Sequence, residues 1–534
     1  MKKIIMKYIS AATLGLALTF TACDSLNLGP IDYYGNANYW QTVPQVQAYV
    51  NGMHLDLRST HFTRDFILGE ARGGLQVTGT SSQNVSTSND DIKGNKISGD
   101  IPGVSQWGGA GSVYGNVFDC NLLIQNIEDS EMHKSNKATV DFLLAQTYGI
   151  RAFHYFKLYR AYGGVPLVNK VKVLDGQVTA DELYTGRSTP KETMDFIKAD
   201  LKKSLDYFAS AGKDWVNNVT WSKAATQMLA AEVYLWSAKV SLGNQTPAAG
   251  DLAAAEGYLN DVKNNTSFGL LTDFDKIFAS NNKANKEIIL AINYADGEAT
   301  SDVSLFLYAD ASINLFYDKA GVRLGDPLNL KNTGIQRYEY TLDFWKSFAN
   351  KDKRRAATFM EYYDNKGVVK GTVMKKFVGS INTTGSRVYD CNEPIYRYAD
   401  VLLMLAEVEN MKSGNPAQYI NQIRQRAYGT DYVAATDAFV NADFKTNEYA
   451  ILQERDKEFV YEGKRWYDIV RMKDALTGQP LAFDAASAYT TTPVLKSTER
   501  YKVLWPIDKA TLNADPLLKQ TPGYKVADQV EEVW

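Results

Sequence analysis

The stretch ILQERDKEFVYEGKRWYDIVRMK, Ile451 to Lys473, decides how the chain is read. On helical spacing, Leu452, Phe459, Trp466 and Val470 share one face. Beside that apolar stripe stand Glu454, Arg455, Glu458, Glu462, Arg465, Asp468 and Arg471. The pairs Arg455/Glu458, Glu462/Arg465, Arg465/Asp468 and Asp468/Arg471 are each three residues apart, within side-chain reach on a helix. Charges flanking a tryptophan stripe point to a partly buried ion-pair network. The competing reading is a solvent-exposed, salt-bridged helix.

Outward from that stretch, the chain has the composition of a soluble globular protein with ample core: 45% hydrophobic and 22% charged over 534 residues, with only 14 prolines. Its 58 basic and 61 acidic residues balance to a net charge of -3, which argues against nucleic acid or a polybasic membrane surface as partner. The N-terminus is more specific. Lys2, Lys3 and Lys7 precede an apolar run, Ala11 to Phe20, too short to span a bilayer, and Thr21-Ala22-Cys23 follows. This predicts a secretory leader over 1–22 with small residues before a cysteine. Cys120 and Cys391 read as unpaired core residues, although pairing in an oxidising compartment stays open. His54, His61, His133 and His154 have no zinc-ligand spacing, so no metal and no cofactor is expected.

Helical periodicity predicts a first helix from Tyr39 (YWQTVPQVQAYVNGMHLDLR), another from Val113, and a third across Asp141 to Tyr162. Further helices are expected at 190–209, 221–242, 251–264, 394–413, 416–428 and 446–473. Small residues such as Ala145, Ala152, Ala225, Ala230, Ala231, Ala399 and Ala406 allow close helix pairs of the tetratricopeptide kind, though no clean repeat period is visible. Residues 73–111 form a Gly/Ser/Thr/Asn-rich excursion. Between 265 and 393, short β-branched and aromatic runs such as EIILAINY (287–294) and GTVMKKFV (371–378) indicate a mixed inserted segment. The run 474–534 reads as loops and short strands wrapped on the core.

There is no Gly-rich phosphate loop, GxSxG elbow, HExxH or EF-hand loop. A glycosidase needs only two carboxylates about 5 to 10 Å apart, which no sequence excludes. The 33 Tyr and 9 Trp are the better clue, because flat rings with a hydrogen-bonding edge suit carbohydrate or peptide recognition. Most such rings nevertheless fill helix interfaces.

The quoted runs, taken with RAFHYFKLYRAYGGVPLV (151–168), WSKAATQMLAAEVYLWSA (221–238), EPIYRYADVLLMLAEVENMKSG (393–414), YINQIRQRA (419–427), VLWPID and LLKQTPGY, resemble in order the SusD/RagB family of Bacteroidetes outer-membrane nutrient-binding lipoproteins. The resemblance implies a mostly α fold, with tetratricopeptide-like helix pairs supporting an irregular ligand face and a few short strands. It also implies a lipobox with lipid on Cys23, and a single body over 23–534 (helical scaffold 39–264 and 394–473, inserted segment 265–393, wrap 474–534). Asp24 fits the family's acidic surface-export signal, which Ser25, Leu26 and Asn27 do not extend.

Function by resemblance is non-catalytic: a lid on a SusC-like TonB-dependent transporter, capturing oligosaccharides or, in the RagB branch, oligopeptides. A surface hydrolase and a purely structural envelope protein are the remaining alternatives. The family signature falls on Arg397, Asp400, Glu407, Glu454, Arg455, Glu462, Arg465, Trp466 and Asp468, which read as scaffold. By regional correspondence, the ligand face draws on Arg72, Gln76, Asn84 and Trp107 from the excursion. Asp302, Tyr308, Phe316, Tyr317 and Arg323 come from the loops after EIILAINY.

Overall fold

The computed structural model describes residues 39–524 apart from 60–64, 80–86, 99–106, 108–111, 176–177, 309–314 and 332–333. The leader, Cys23 and Asn84 lie outside the described residues. No described helix is long and apolar enough to cross a membrane.

The first half is helical: α1 (Val43–Ser59), α2 (Val113–Ile127), α3 (Lys137–Tyr162), α4 (Pro190–Ala211), α5 (Lys223–Lys239) and α6 (Asp251–Lys263). Helix α3 is buried nearly all round because α1, α2, α4 and α5 all lie against it. Its close approaches rest on small residues. A Cβ at Gly149 would fall 2.1 Å from Trp221 Nε1, and Ala152, Ala225, Ala230 and Ala231 are fully buried. Helix α4 starts where Thr189 and Glu192 form a capping box ahead of Pro190, and it stops at left-handed Gly212.

The second half supplies α7 (Tyr398–Met411), α8 (Ala417–Tyr428), α9 (Phe444–Glu458) and α10 (Arg465–Arg471). The helix expected from 394 begins instead as a strand, because its first residues join an antiparallel ladder. The described strands pair as β1 (Gln76–Thr78) with β3 (Tyr338–Tyr340), β2 (Ile288–Ile292) with β8 (Glu393–Arg397), β4 (Phe359–Tyr363) with β5 (Val369–Met374), and β6 (Ser380–Ile381) with β7 (Arg387–Val388). The C-terminal wrap carries 3-10 turns (Leu481–Phe483, Ala485–Ala488, Ser497–Val503) and a short helix, Lys509–Ala514, where short strands were expected. It is tied to α3 by Trp505 N–H donating to Ala161 O at 2.7 Å. One contiguous apolar cluster includes residues from Val46 to Ile507.

The run 451–473 is two helices rather than one. The chain breaks between Glu458 and Arg465, with Tyr461 (φ +64°) and Gly463 (φ +69°) in the left-handed region. Glu70 supplies the reason: its Oε1 accepts from Tyr461 N at 2.9 Å and its Oε2 from Gly463 N at 2.7 Å. The break redirects the charges. Of the four pairs expected three residues apart, Asp468–Arg471 forms, at 2.9 Å. The other members bond across the fold, Arg455 to Asp468 at 2.8 Å and Arg465 to Asp456 at 2.8 Å.

Glu458 meets Arg397 at 2.6 Å, Arg354 at 3.2 Å, and Arg426. Arg397 also grips Glu462 through Nε–Oε2 and Nη2–Oε1, both 2.9 Å, and Lys376 reaches Glu462 at 2.5 Å. Glu454 joins Arg354 (3.1 Å) and Arg424 (2.7 Å), while Glu407 joins Arg471 (2.9 Å) and Lys239 (2.8 Å). Burial pushes the Glu458 carboxyl up, but Arg426, Arg397 and Arg354 outweigh it and hold it well below the usual carboxylate range. Such pairs set helix positions rather than adding net stability, because desolvation offsets most of the attraction. Losing one partner is what costs heavily.

Candidate ligand face

On this frame the inserted segment projects hairpins whose turns repeat one device. In DKAGV (318–322), DNKGV (364–368) and NTTGS (382–386) the first side chain accepts two backbone N–H groups. Asp318 Oδ1 bonds Ala320 N and Val322 N, both at 2.9 Å; Asp364 Oδ1 bonds Lys366 N (2.9 Å) and Val368 N (3.0 Å); Asn382 Oδ1 bonds Thr384 N (3.1 Å) and Ser386 N (3.0 Å). The fourth residue of each is a left-handed glycine, Gly321, Gly367 or Gly385. The first two turns lie side by side, because Tyr317 and Tyr363 exchange backbone hydrogen bonds of 3.1 and 2.9 Å. These tips are tied by backbone hydrogen bonds yet expose apolar side chains: Val322 is 62% exposed and Val368 53%. Apolar groups held out on such turns suit contact with a ligand or partner.

The residues assigned to the ligand face separate into three groups. Tyr317, Arg323 and Asp302 reach solvent, and Arg323 lies over the Tyr317 ring at 5.8 Å. Tyr308 and Phe316 are buried beneath them and build the platform. Tyr308 OH donates to Asp326 and accepts from Leu328 N at 3.0 Å, and Phe316 stacks on Tyr362 at 4.0 Å.

Arg72, Gln76 and Trp107 do not belong to an open face among the described residues. Arg72 is fully buried, its guanidinium 4.0 Å from the Trp466 ring and 4.5 Å from Trp505, with Nε donating to Asn95 at 2.8 Å. Gln76 is buried in β1 opposite Tyr340. Trp107 is 5% exposed and packs on Tyr114 and Tyr162. For all three, neighbouring rings or a strand cover a side chain whose polarity or size had suggested a surface.

The scaffold signature residues lie within the ion-paired core, and Trp466 is 1% exposed beneath Arg72. Beside them is a cavity of about 50 Å³ whose charged lining is Asp65, Glu232, Asp400, Glu462 and Asp468 against Lys157, Arg160, Arg455, Lys464 and Arg471. That volume suits a few waters satisfying buried polar atoms, not a nutrient. Acids displaced upward are also framework groups. Burial raises Glu70 to about 8 and Asp456 to about 6, and drives Glu393 well above its range. A wider groove of about 380 Å³ has Phe274, Phe278 and Phe377 as floor and Lys353 and Lys375 at its rim. Sequence reasoning missed both that groove and an exposed Trp215, whose signal was an indole placed in the polar loop KDWVNN.

Comparison with known proteins agrees with this architecture. Residues 364–524 match the SusD family model, and residues 77–235 match one described as starch-binding, associating with outer membrane. A SusD superfamily protein of known structure from Bacteroides fragilis NCTC 9343 is 40% identical, with a TM-score of 0.84 over 91% of this chain and 100% of that one. B. fragilis NanU is 31% identical, with a TM-score of 0.78 over 93% and 100%. SusD-like protein P2 of Formosa agariphila is 26% identical, covering 88% of this chain and 91% of that protein. The chain belongs to the SusD superfamily.

Proposed function

We propose that the protein is a non-catalytic nutrient-binding lipoprotein of the outer membrane, anchored through lipid on Cys23 and exposed at the cell surface. Acting as one body over residues 23–534, it captures oligosaccharides and delivers them to a SusC-like TonB-dependent transporter that it covers as a lid. The observation that carries this reading is the match of residues 77–235 to a starch-binding, outer-membrane family within a fold shared end to end with SusD superfamily structures. Physical support comes from the division of labour in the molecule. A locked, charge-paired scaffold carries hydrogen-bonded hairpin tips that present Tyr317, Arg323 and exposed aliphatic groups. The strongly shifted acids Glu70 and Glu393 are buried in that scaffold, each 2% exposed. Weak capture suffices where a transporter is tethered nearby, because proximity raises the effective ligand concentration.

One observation favours a second reading, the same lid role with an oligopeptide. Trp107 is turned into the core, so the described loop face offers no indole for sugar stacking. Affinity purification of the tagged protein from its own membranes tests both readings. A co-purifying TonB-dependent barrel is expected, with mass spectrometry of the bound ligand separating glycan from peptide. Recovery of the protein alone would contradict the lid role.

A further inference from the structure

Beyond the hairpin face, the helical scaffold carries an open groove of about 490 Å³ between the loop joining α4 to α5 and the C-terminal end of α6. That volume lies within the range of small-ligand sites. Trp215 projects into it and is 40% exposed, whereas Trp107, Trp221, Trp236, Trp345, Trp466 and Trp505 are each 7% exposed or less. The indole is held by Phe268 in a T-shaped contact, ring centroids 5.5 Å apart at 74°.

Both walls are fixed by their own backbone. Lys223 N donates to Asp214 O at 3.1 Å and Ala291 N to Asn218 O at 2.8 Å on one side; Phe268 N donates to Asn265 O at 3.0 Å on the other. Around the ring stand exposed or half-exposed side chains of mixed polarity: Asp214, Gln227, Asp261, Asn264 and Ser267. Their polar partners are local, one an ion pair and one an amide-to-carboxylate hydrogen bond. Lys223 faces Asp214 at 3.4 Å, and Gln227 donates to Asp261 at 3.0 Å.

We infer that this groove is a carbohydrate-contact site on the helical scaffold, taking a neutral glycan of about two sugar residues, with Trp215 stacking on one ring. The chemistry favours that occupant over others. A flat apolar face ringed by amides, carboxylates and a hydroxyl matches the alternating C–H faces and equatorial hydroxyls of a pyranose. Among the described residues lining the groove, the basic side chain is Lys223, which already faces Asp214 and is not free for an anionic ligand. A site of this kind lets the protein hold a long chain at two places, so that modest affinities multiply. The inference rests on the proposal that the nutrient is an oligosaccharide.

The test uses the purified protein with maltoheptaose, laminarihexaose, cellohexaose and xylohexaose, read by tryptophan fluorescence and calorimetry. At least one of these is expected to shift the indole emission of the wild type, with the shift lost in Trp215→Phe. Trp215→Ala is expected to weaken binding about tenfold with an unchanged melting temperature. Asn264→Ala, on the opposite wall, should weaken it as well. Wild-type binding that survives Trp215→Ala in affinity and stoichiometry would overturn the site and leave the nutrient proposal standing. Silence of the wild type towards all four sugars would overturn both.

Discussion

Glu70 Oε2 accepts a hydrogen bond from Gly463 N at 2.7 Å, joining residues 393 positions apart at the point where the decisive stretch breaks into two helices. Burial raises this carboxyl from 4.5 to about 8, against the opposing pull of the Tyr461 and Gly463 amides and Lys376. Between those two values the folded chain holds a proton that the unfolded chain has lost. Stability therefore falls as pH rises from 4.5 to about 8, and this group adds no further pH dependence outside that window. Glu70→Gln cannot titrate, so its stability should decline less steeply over that range. Urea melts at several pH values check this, and parallel curves for the two proteins would contradict it.

Glu462 is gripped by Arg397 and Lys376 with its side chain buried, so Glu462→Ala leaves two buried cations short of a counter-charge. A loss of about 3–5 kcal/mol is expected. The affinity of the folded protein for its ligand should be unchanged, because the site is scaffold. Burial pushes Glu462 up, but Arg397 and Lys376 hold it below its usual range. Its contribution is therefore present above the ordinary carboxylate range and lost as pH falls towards the folded value. Differential scanning calorimetry beside ligand titration reads both halves, and an intact melting temperature with lost binding would reverse the assignment.

Gly149 faces the Trp221 indole so closely that a Cβ would sit 2.1 Å from Nε1. Trp221 also donates to Thr226 at 2.8 Å, which limits its retreat. Gly149→Ala should cost about 1–3 kcal/mol despite alanine's better helix propensity. A stabilised variant in thermal denaturation would show that α3 and the loop before α5 can separate.

Sequence places Arg72 and Arg323 on one ligand face, and the structure gives them opposite surroundings. Arg72→Ala removes a guanidinium from between Trp466 and Trp505 and should lower the melting temperature while sparing affinity. Arg323→Ala removes an exposed group above Tyr317 and should leave the melting temperature within error while weakening capture several-fold. Thermal shift with ligand titration on both variants checks the contrast, and the reverse pattern would refute it.

The helical frame was legible because amphipathic spacing and caps are local; Thr189, Glu192 and Pro190 announce α4 before any neighbour is known. The break at Tyr461 was not legible, since a left-handed tyrosine is held there by a carboxylate hundreds of residues away. The i,i+3 charge pairs misled because the turn sets α10 against α9, so that Arg455 and Arg465 bond Asp468 and Asp456 across it instead of a neighbour on their own helix. Arg72 and Trp107 looked like surface groups because sequence cannot show which indoles or tyrosines close over a side chain. Trp215 carried the opposite signal, a large ring in a short polar loop, and that is where the structure leaves an indole exposed.

Calorimetric titration of the purified protein with neutral oligosaccharides and, separately, a mixed oligopeptide library tests the central claim most directly. Saturable glycan binding without turnover is the expected result, with affinity weak enough that delivery depends on a neighbouring transporter. Saturable binding of peptides with none of glycans, or release of shortened products from either, would contradict it.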